Sequence, residues 1–269
     1  MRTERVGAHP RVGLGQAMKD GVGLIRVRRS TKTLCSLSIG ALGLASGVSS
    51  ASDSGISGML WRAADEPAIV DCATAVTPLD SPPVRSPQAV HSFLTRIIRG
   101  KSLVEVGSRH GDGMACFAHV ASSAVSIELS RRYCQRMEAR AAQLAAGGRG
   151  NFSVVCRSAF SSGATPDADF YTWWQQEGLT DAKMLSHLRT LVRSGAVRRS
   201  ARALLLFSSW HRDRRSWKNL KPTAEWWREV AFDERPLCSR LLAHSRLSSE
   251  TCDRANGTFI VASFALASG

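Results

Sequence analysis

The ten residues from Val104 to Gly113 constrain the fold more than any other part of the sequence. Their sequence, VEVGSRHGDG, joins the short apolar run Ser102–Val106 to a glycine-rich turn, and a helical apolar pattern follows from Met114. Glycine permits a tight turn and a close approach of a ligand to the backbone. A strand that enters such a turn and then a helix is typical of nucleotide-binding α/β folds.

The region from Ser86 to the C-terminus alternates between helical and strand patterns. Since strands that alternate with helices form parallel sheets, the pattern predicts an α/β Rossmann-like three-layer sandwich. The last strands are predicted to form a C-terminal antiparallel hairpin on this mostly parallel sheet. Helices are predicted from Pro87 to Gly100, over 130–146, over 181–192 and from Pro222 through Val230; the hairpin strands are Leu241–Leu247 and Thr258–Phe264, around Asn256-Gly257.

Two acidic residues near the glycine turn indicate what it binds. Glu128 ends the next predicted strand, 17 residues after Gly111, where a carboxylate can accept hydrogen bonds from both ribose hydroxyls of an adenosine group. Glu105 lies just before the first glycine. A dinucleotide would bring its pyrophosphate there, to the helix N-terminus, and the carboxylate would repel it. A sulfonium and an ammonium group are attracted instead, so Glu105 favours S-adenosylmethionine over a dinucleotide.

These residues resemble the first two motifs of class I S-adenosylmethionine-dependent methyltransferases. Glu105, Gly107 and Gly111 match the acid and two glycines of the first motif, whereas Arg109 replaces its middle glycine. The segment SIELS is similar to the second motif, with Glu128 as the ribose acid. The resemblance covers about residues 100–269 and identifies no subfamily. It implies S-adenosylmethionine as cofactor, bound by Glu105, Gly107, Ser108, Arg109, Gly111, Glu128, Leu129, Ser158 and Ala159.

Later segments resemble the third and fourth motifs of the family. VVCRSAF is similar to the third, but Arg157 and Ser158 replace its common acid, and PDADFYTWW is similar to the fourth. The resemblance implies that Asp169 or Tyr171 lies at the active-site end of the fourth-motif strand, so Asp169 is predicted to be catalytic and Tyr171 to contact the substrate. His211, in SSWHRD after the apolar run ALLLF, is predicted as a catalytic base from its position, and Trp173 is a candidate substrate contact. Each has a structural alternative: a solvated acid for Asp169, a structural loop histidine for His211 and core packing for Trp173.

The net charge of +14 is concentrated in two basic segments, residues 1–34 and 189–221. The second segment predicts a surface for an anionic partner, such as a nucleic acid or an acidic membrane. The alternative is a solvated helix face and loop, because no aromatic stacking platform or nucleic-acid motif accompanies the charge.

The first 50 residues predict a basic targeting or anchor segment. The basic region is followed by TLCSLSIGALGLASGV, which is short and polar for a membrane span of about 20 apolar residues. A positive region, an apolar core and small residues are typical of a cleavable segment for the secretory pathway or an organelle. A single-pass anchor and a disordered tail are the alternatives. Residues 51–85 are predicted to be a Ser/Ala/Pro-rich linker, which leaves 86–269 as the methyltransferase-like domain.

Seven cysteines are widely spaced, without a C-x-x-C motif or a His/Cys cluster of zinc spacing, so no metal site is predicted. Cys116 and Cys156 lie in apolar runs and are predicted to be small core residues. The odd number of cysteines favours a reducing compartment.

The sequence thus predicts an S-adenosylmethionine-dependent methyltransferase whose methyl acceptor is unidentified. A noncatalytic binding module with the same fold is the alternative, favoured by Arg109 and Arg157. A nicotinamide-dependent oxidoreductase is disfavoured by Glu105 and by the lack of a Tyr-x-x-x-Lys pair.

Overall fold

A central β-sheet organises the chain. The computed structural model describes residues 60–62, 68–80, 87–174, 178–208, 211–242, 252 and 255–267. Within them, eight strands form one sheet in the order β1-β7-β8-β6-β5-β2-β3-β4. Neighbouring strands within the set β2 to β6 pair in parallel. Strand β8 pairs antiparallel with both β6 and β7. The strands are β1 Leu60–Trp61, β2 Ser102–Val106, β3 Ser123–Ile127, β4 Ser153–Val155, β5 Phe170–Trp174, β6 Arg202–Ser208, β7 Trp226–Asp233 and β8 Asn256–Ala265.

Helices cover both faces of the sheet and bury two apolar cores. One core packs α1 to α4 against the sheet, and the other packs α5 and α6 against the opposite face. The predicted fold class is confirmed: this is a Rossmann-like three-layer α/β sandwich with a mostly parallel sheet. The helices are α1 Cys72–Ala75, α2 Gln88–Ile98, α3 Asp112–Phe117, α4 Arg131–Ala146, α5 Gly178–Arg193, α6 His211–Leu220 and α7 Arg235–Leu242.

The apolar runs of the central strands explain why both faces are covered. In β2, Leu103 packs into the core beneath α2 and α3, whereas its neighbour Val104 packs into the core beneath α5. In β6, Leu204 and Leu205 divide in the same way between the two cores. Since successive side chains of a strand point to opposite faces, a continuous apolar run requires a layer on each side.

The C-terminal antiparallel pair forms from different segments than the sequence predicted. The helix predicted after Pro222 is only a short 3-10 turn, Lys221–Thr223, and the strand β7 follows it. The sequence WWREVAFD is rich in aromatic and branched residues, which suit a strand. Its pairing along the whole of β8 stabilises the strand over the predicted helix. The predicted partner Leu241–Leu247 is wrong, since its first two residues end α7 and the rest lies outside the described residues. Asn256 begins β8 rather than a tight turn.

Residues 68–80 pack on the domain although they fall within the predicted linker. Cys72 and Val76 are buried in the core beneath α2 and α3. Asp71 caps α1 by accepting a hydrogen bond from the backbone amide of Ala73 at 3.0 Å. The folded domain therefore includes residues N-terminal to Ser86.

Six of the seven cysteines form three disulfides: Cys72–Cys116, Cys134–Cys156 and Cys238–Cys252. Cys116 is a core residue as predicted, although it is paired, whereas the prediction for Cys156 is wrong, since that residue is exposed. Sequence spacing could not reveal the pairs, because each joins different elements that only the fold brings together.

The predicted targeting or anchor segment, residues 1–50, lies outside the described residues. Among the described helices, none has the length and apolar character needed to cross a membrane. The described residues also contain no group of three or more His, Cys, Asp or Glu side chains arranged to hold a metal ion.

Candidate functional site

The glycine turn lies where the sheet changes its direction of growth. Strand β2 lies between β3 and β5, so the chain adds strands on one side of β2 and then on the other. A crevice at the carboxyl ends of such strands is the usual ligand site of an open α/β sheet. Gly107 and Gly111 both have positive φ angles, 75° and 72°, which a side chain would strain. A Cβ on Gly111 would also lie 3.1 Å from the side chain of Met137.

The carboxylate of Glu128 joins the glycine turn to the end of β3. Its Oε2 accepts a hydrogen bond from the backbone amide of Arg109 at 3.0 Å, and its Oε1 accepts one from the amide of Ser130 at 2.8 Å. The side chain is buried and fixed by these two bonds. Each carboxylate oxygen can accept a further hydrogen bond, so the group retains capacity for two hydroxyl donors.

Glu105 is buried beneath the turn, with only 2% of its surface exposed. Burial raises the pKa of Glu105 to about 7; hydrogen bonds from the Ser108 and Trp174 side chains oppose the shift, and the carboxylates of Asp112 and Asp80 add to it. Its Oε2 has no hydrogen-bond partner within the described structure. A buried oxygen without a partner is costly and requires an explanation. A proton on the carboxyl group, which its raised pKa allows, lowers that cost.

The surroundings of Glu105 leave no room for a side chain at position 113. A Cβ on Gly113 would lie 3.1 Å from both Glu105 Oε1 and His91 Nε2, so only glycine lets α3 approach β2 here. The ring of His91 makes edge contacts with Phe117 and Trp174. Burial lowers the pKa of His91 to about 4, so this imidazole is neutral beside Glu105 at neutral pH.

The other residues predicted to bind the cofactor lie at the same edge of the sheet. Ser108 is buried in the turn, and its hydroxyl accepts a hydrogen bond from Ser126 at 2.9 Å. Leu129 follows Glu128 and is 75% exposed, unusual for a leucine. Ser158 and Ala159 follow β4, the outermost strand on this side. Their cofactor-binding roles stay predictions.

Arg109 pairs its charge with Asp80 beside the turn. Its φ of 51° is the only positive value at a non-glycine position among the described residues. The guanidinium lies 3.2 Å from Asp80 Oδ1 and 5.8 Å from the centre of the Tyr133 ring. Arg157, the other departure from the family pattern, is exposed.

Three predicted site residues lie elsewhere. Asp169 precedes β5, so it lies at the amino end of the strand; there it accepts hydrogen bonds from Ser102 and pairs with Arg198 at 2.7 Å. Tyr171 is fully buried, and its hydroxyl donates to the carbonyl of Pro166.

Trp173 is also buried in the core, and its indole donates to Asp181 at 2.9 Å. The catalytic role of Asp169 and the substrate roles of Tyr171 and Trp173 are therefore wrong. The acid lies at the opposite edge of the sheet, and both aromatic side chains are used in packing.

His211 begins α6, which follows the carboxyl end of β6, but its side chain lies outside the described residues. Its catalytic role stays a prediction. In the basic segment 189–221, Arg198 pairs with Asp167 and Arg202 pairs with Glu225. The anionic partner of this segment likewise stays a prediction.

The sequence did not indicate two residues at the site. Asp80 lies in the predicted linker, and only the packing of that segment brings its carboxylate to the glycine turn. Trp174 ends β5 beside Glu105, whereas the sequence favoured its neighbour Trp173. Alternation along β5 was the available signal, since buried Tyr171 and Trp173 share one face and Trp174 lies on the other.

Neither protein-family models nor curated proteins show a match to this sequence. Solved structures with a similar fold include precorrin-8w decarboxylase from Methanobacterium thermoautotrophicum, with 12% identity, 71% of this chain and 93% of that chain covered, and a TM-score of 0.44. Precorrin-6y C5,15-methyltransferase from Geobacter metallireducens has 12% identity, coverage of 72% and 95%, and a TM-score of 0.46. An rRNA methylase from Streptococcus thermophilus has 10% identity, coverage of 70% and 99%, and a TM-score of 0.41.

Several of the structural neighbours are methyltransferases, whereas others are a decarboxylase and a cyclase. They carry different activities on a shared fold, so the functional argument comes from the residues of this chain.

Proposed function

We propose that this protein is an S-adenosylmethionine-dependent methyltransferase. The observation that supports it best is the pair of carboxylates at the carboxyl ends of β2 and β3: Glu105, buried with an oxygen lacking a partner, and Glu128, held by two backbone amides. The first suits a cationic amino acid group, and the second suits two ribose hydroxyls. A dinucleotide would instead bring its negative pyrophosphate to this place, where the carboxylate of Glu105 would repel it.

The residues present fit this cofactor. Glu105 would hold its ammonium group, Glu128 its ribose, and the exposed side chain of Leu129 its adenine, together with Ser158 and Ala159. When bound, the cofactor supplies an electrophilic methyl group on a sulfonium. The chain itself binds and orients, and such positioning supplies a large part of the rate in a direct displacement.

The experiment that tests this proposal is calorimetry of the full oxidised chain with S-adenosylmethionine, S-adenosylhomocysteine and NAD in parallel. We expect both S-adenosyl compounds to bind and NAD not to bind. Binding of NAD alone would end the proposal, because the site would then have accepted the pyrophosphate that Glu105 should repel.

A noncatalytic binding module is the second candidate. It is favoured by the positions of Asp169, Tyr171 and Trp173 outside the site, because none of these three predicted residues can then act on a substrate there. The two candidates differ in turnover. When mixed with candidate methyl acceptors, a methyltransferase would convert S-adenosylmethionine to S-adenosylhomocysteine, whereas a binding module would bind it unchanged.

Cofactor affinity is expected to rise with pH through about 7. Because burial raises the pKa of Glu105 to about 7, its carboxyl group is mostly protonated at pH 6 and mostly ionised at pH 8. Only the ionised form attracts an ammonium group, so the dissociation constant should fall about tenfold over this interval. Calorimetry at both values measures this. The Glu105→Gln variant should bind weakly and equally at both, and a flat wild-type profile would refute the assignment.

We further propose that the chain matures in an oxidising compartment, through its N-terminal targeting segment. Three disulfides use six cysteines, and the seventh, Cys35, falls within the predicted targeting segment. Removal of residues 1–50 would leave an even number of cysteines, all paired. The odd total therefore gives no support to a reducing compartment.

A further inference from the structure

Residues 71–80, here named the strap, are fastened to the domain at both ends. At the N-terminal end, Cys72 forms a disulfide with Cys116 of α3, and its backbone amide donates a hydrogen bond to Ser92 Oγ at 2.9 Å. Both cysteines are fully buried. The start of the strap is thus fixed to the two helices that pack above β2.

The other end of the strap is fixed by Asp112, the first residue of α3. Its two carboxylate oxygens accept hydrogen bonds from the backbone amides of Leu79 and Asp80, both at 2.8 Å. Arg140 donates to Asp112 Oδ1 at 2.6 Å and to the carbonyl of Thr77 at 2.8 Å. These bonds hold the backbone of Asp80 in one position beside the glycine turn.

The side chain of Asp80 faces the turn. It is 5% exposed, and its Oδ1 lies 3.2 Å from a guanidinium nitrogen of Arg109 and 4.0 Å from His110 Nε2. The side chain of Arg109 is 29% exposed, so the pair is only partly screened by solvent. Asp80 and the Tyr133 ring together hold the guanidinium on the side of the turn that faces α4.

The position of this guanidinium matters for the proposed ligand. The backbone amide of Arg109 holds Glu128, so its side chain starts within the cofactor site. A free cation there would repel a ligand that carries a sulfonium and an ammonium group. Glycine would satisfy a φ of 51° without adding any charge. A chain with arginine at this position needs a means to neutralise the charge.

We infer that Asp80 is a positioning residue of the cofactor site: it holds the Arg109 guanidinium in an ion pair beside the turn and neutralises its charge, so that the turn accepts a cationic ligand. This inference rests on the proposed function. It makes the strap a functional part of the site, although it lies far from the glycine motif in sequence.

The test compares Asp80→Asn, Arg109→Gly and the double variant in the full oxidised chain. By calorimetry, Asp80→Asn should weaken S-adenosylmethionine binding about tenfold, because an unneutralised cation is left beside the site. In the double variant, Arg109→Gly removes that cation, so it should restore most of the affinity that Asp80→Asn loses. Asp167→Asn is the matched control: it breaks the pair with Arg198 outside the site and should leave binding unchanged. An Asp80→Asn defect that Arg109→Gly does not rescue would overturn the inference.

Hydrogen exchange without ligand provides a readout that is independent of the proposed function. In Asp80→Asn, the amide of Arg109 should exchange faster, since its side chain no longer anchors the turn; in Asp167→Asn it should not. Unchanged exchange in Asp80→Asn would overturn the role of Asp80 whether or not the cofactor binds. Absence of S-adenosylmethionine binding to the wild type would instead count against the proposed function.

Discussion

Replacing Glu128 by alanine is expected to lower the affinity for S-adenosylmethionine by about a thousandfold. The carboxylate would accept two ribose hydrogen bonds, and a hydrogen bond to a charged group contributes about 2 kcal/mol. The variant also releases the backbone amides of Arg109 and Ser130, so the turn loses its link to β3. Calorimetry measures the affinity, and a thermal melt under the same conditions shows that the variant is folded.

Glu138→Ala provides the control for this substitution. Glu138 is an exposed acid on α4, and its loss removes the same charge without touching the turn. We expect wild-type affinity for this variant. If folded Glu128→Ala bound the cofactor as tightly as the wild type, the ribose assignment would be wrong and the case for an adenosine ligand would lose its main support.

Replacing Cys72 and Cys116 together by alanine is expected to lower the free energy of unfolding by about 4 kcal/mol. The disulfide closes a loop with a sequence separation of 44 residues, and this loss reflects the greater freedom of the unfolded chain. For a domain of this size the melting temperature should fall by roughly 10 °C. Thermal and urea unfolding measure the change. Unchanged stability would show that the cysteines are not paired in the protein.

The variant without Cys238 and Cys252 separates stability from function. Its loop is shorter, with a separation of 14 residues, and the expected loss is about 3 kcal/mol. Cofactor affinity should remain as in the wild type, because this disulfide does not fasten the strap. The Cys72 and Cys116 variant should instead bind more weakly, through Asp80. Alkylation of the natural mature protein should find no free thiol, as the proposed oxidising compartment requires.

The fold was predictable because its signals are local. The glycine turn after β2, the apolar runs of the central strands and the helical spacing in α2 and α4 each depend on residues close together in sequence. The sequence predicted that the sheet ends in an antiparallel pair, but it did not identify which segments form that pair. Its true strand, β7, carries two tryptophans that suit a helix or a strand, and pairing with β8 decides between them.

The candidate site divides in a similar way. Glu105, Gly107, Gly111 and Glu128 were accessible from sequence, since each lies at a strand end that the motif pattern marks. Asp169 was misplaced because its motif spans the whole of β5, and only the register of the parallel pair shows that it lies at the amino end. The same register shows which of two adjacent tryptophans lies beside Glu105.

By itself, then, the sequence determined the sheet, its flanking helices and the two carboxylates around one glycine turn, because backbone geometry and side-chain periodicity act over a few residues. Only the tertiary structure decided the three cysteine pairs, the packing of the strap and the contact between Asp80 and Arg109. These join residues separated by 20 to 63 positions in the strap contacts and by 14 and 22 in the other two disulfides. Contacts at such separations depend on how whole elements pack, which no local pattern specifies.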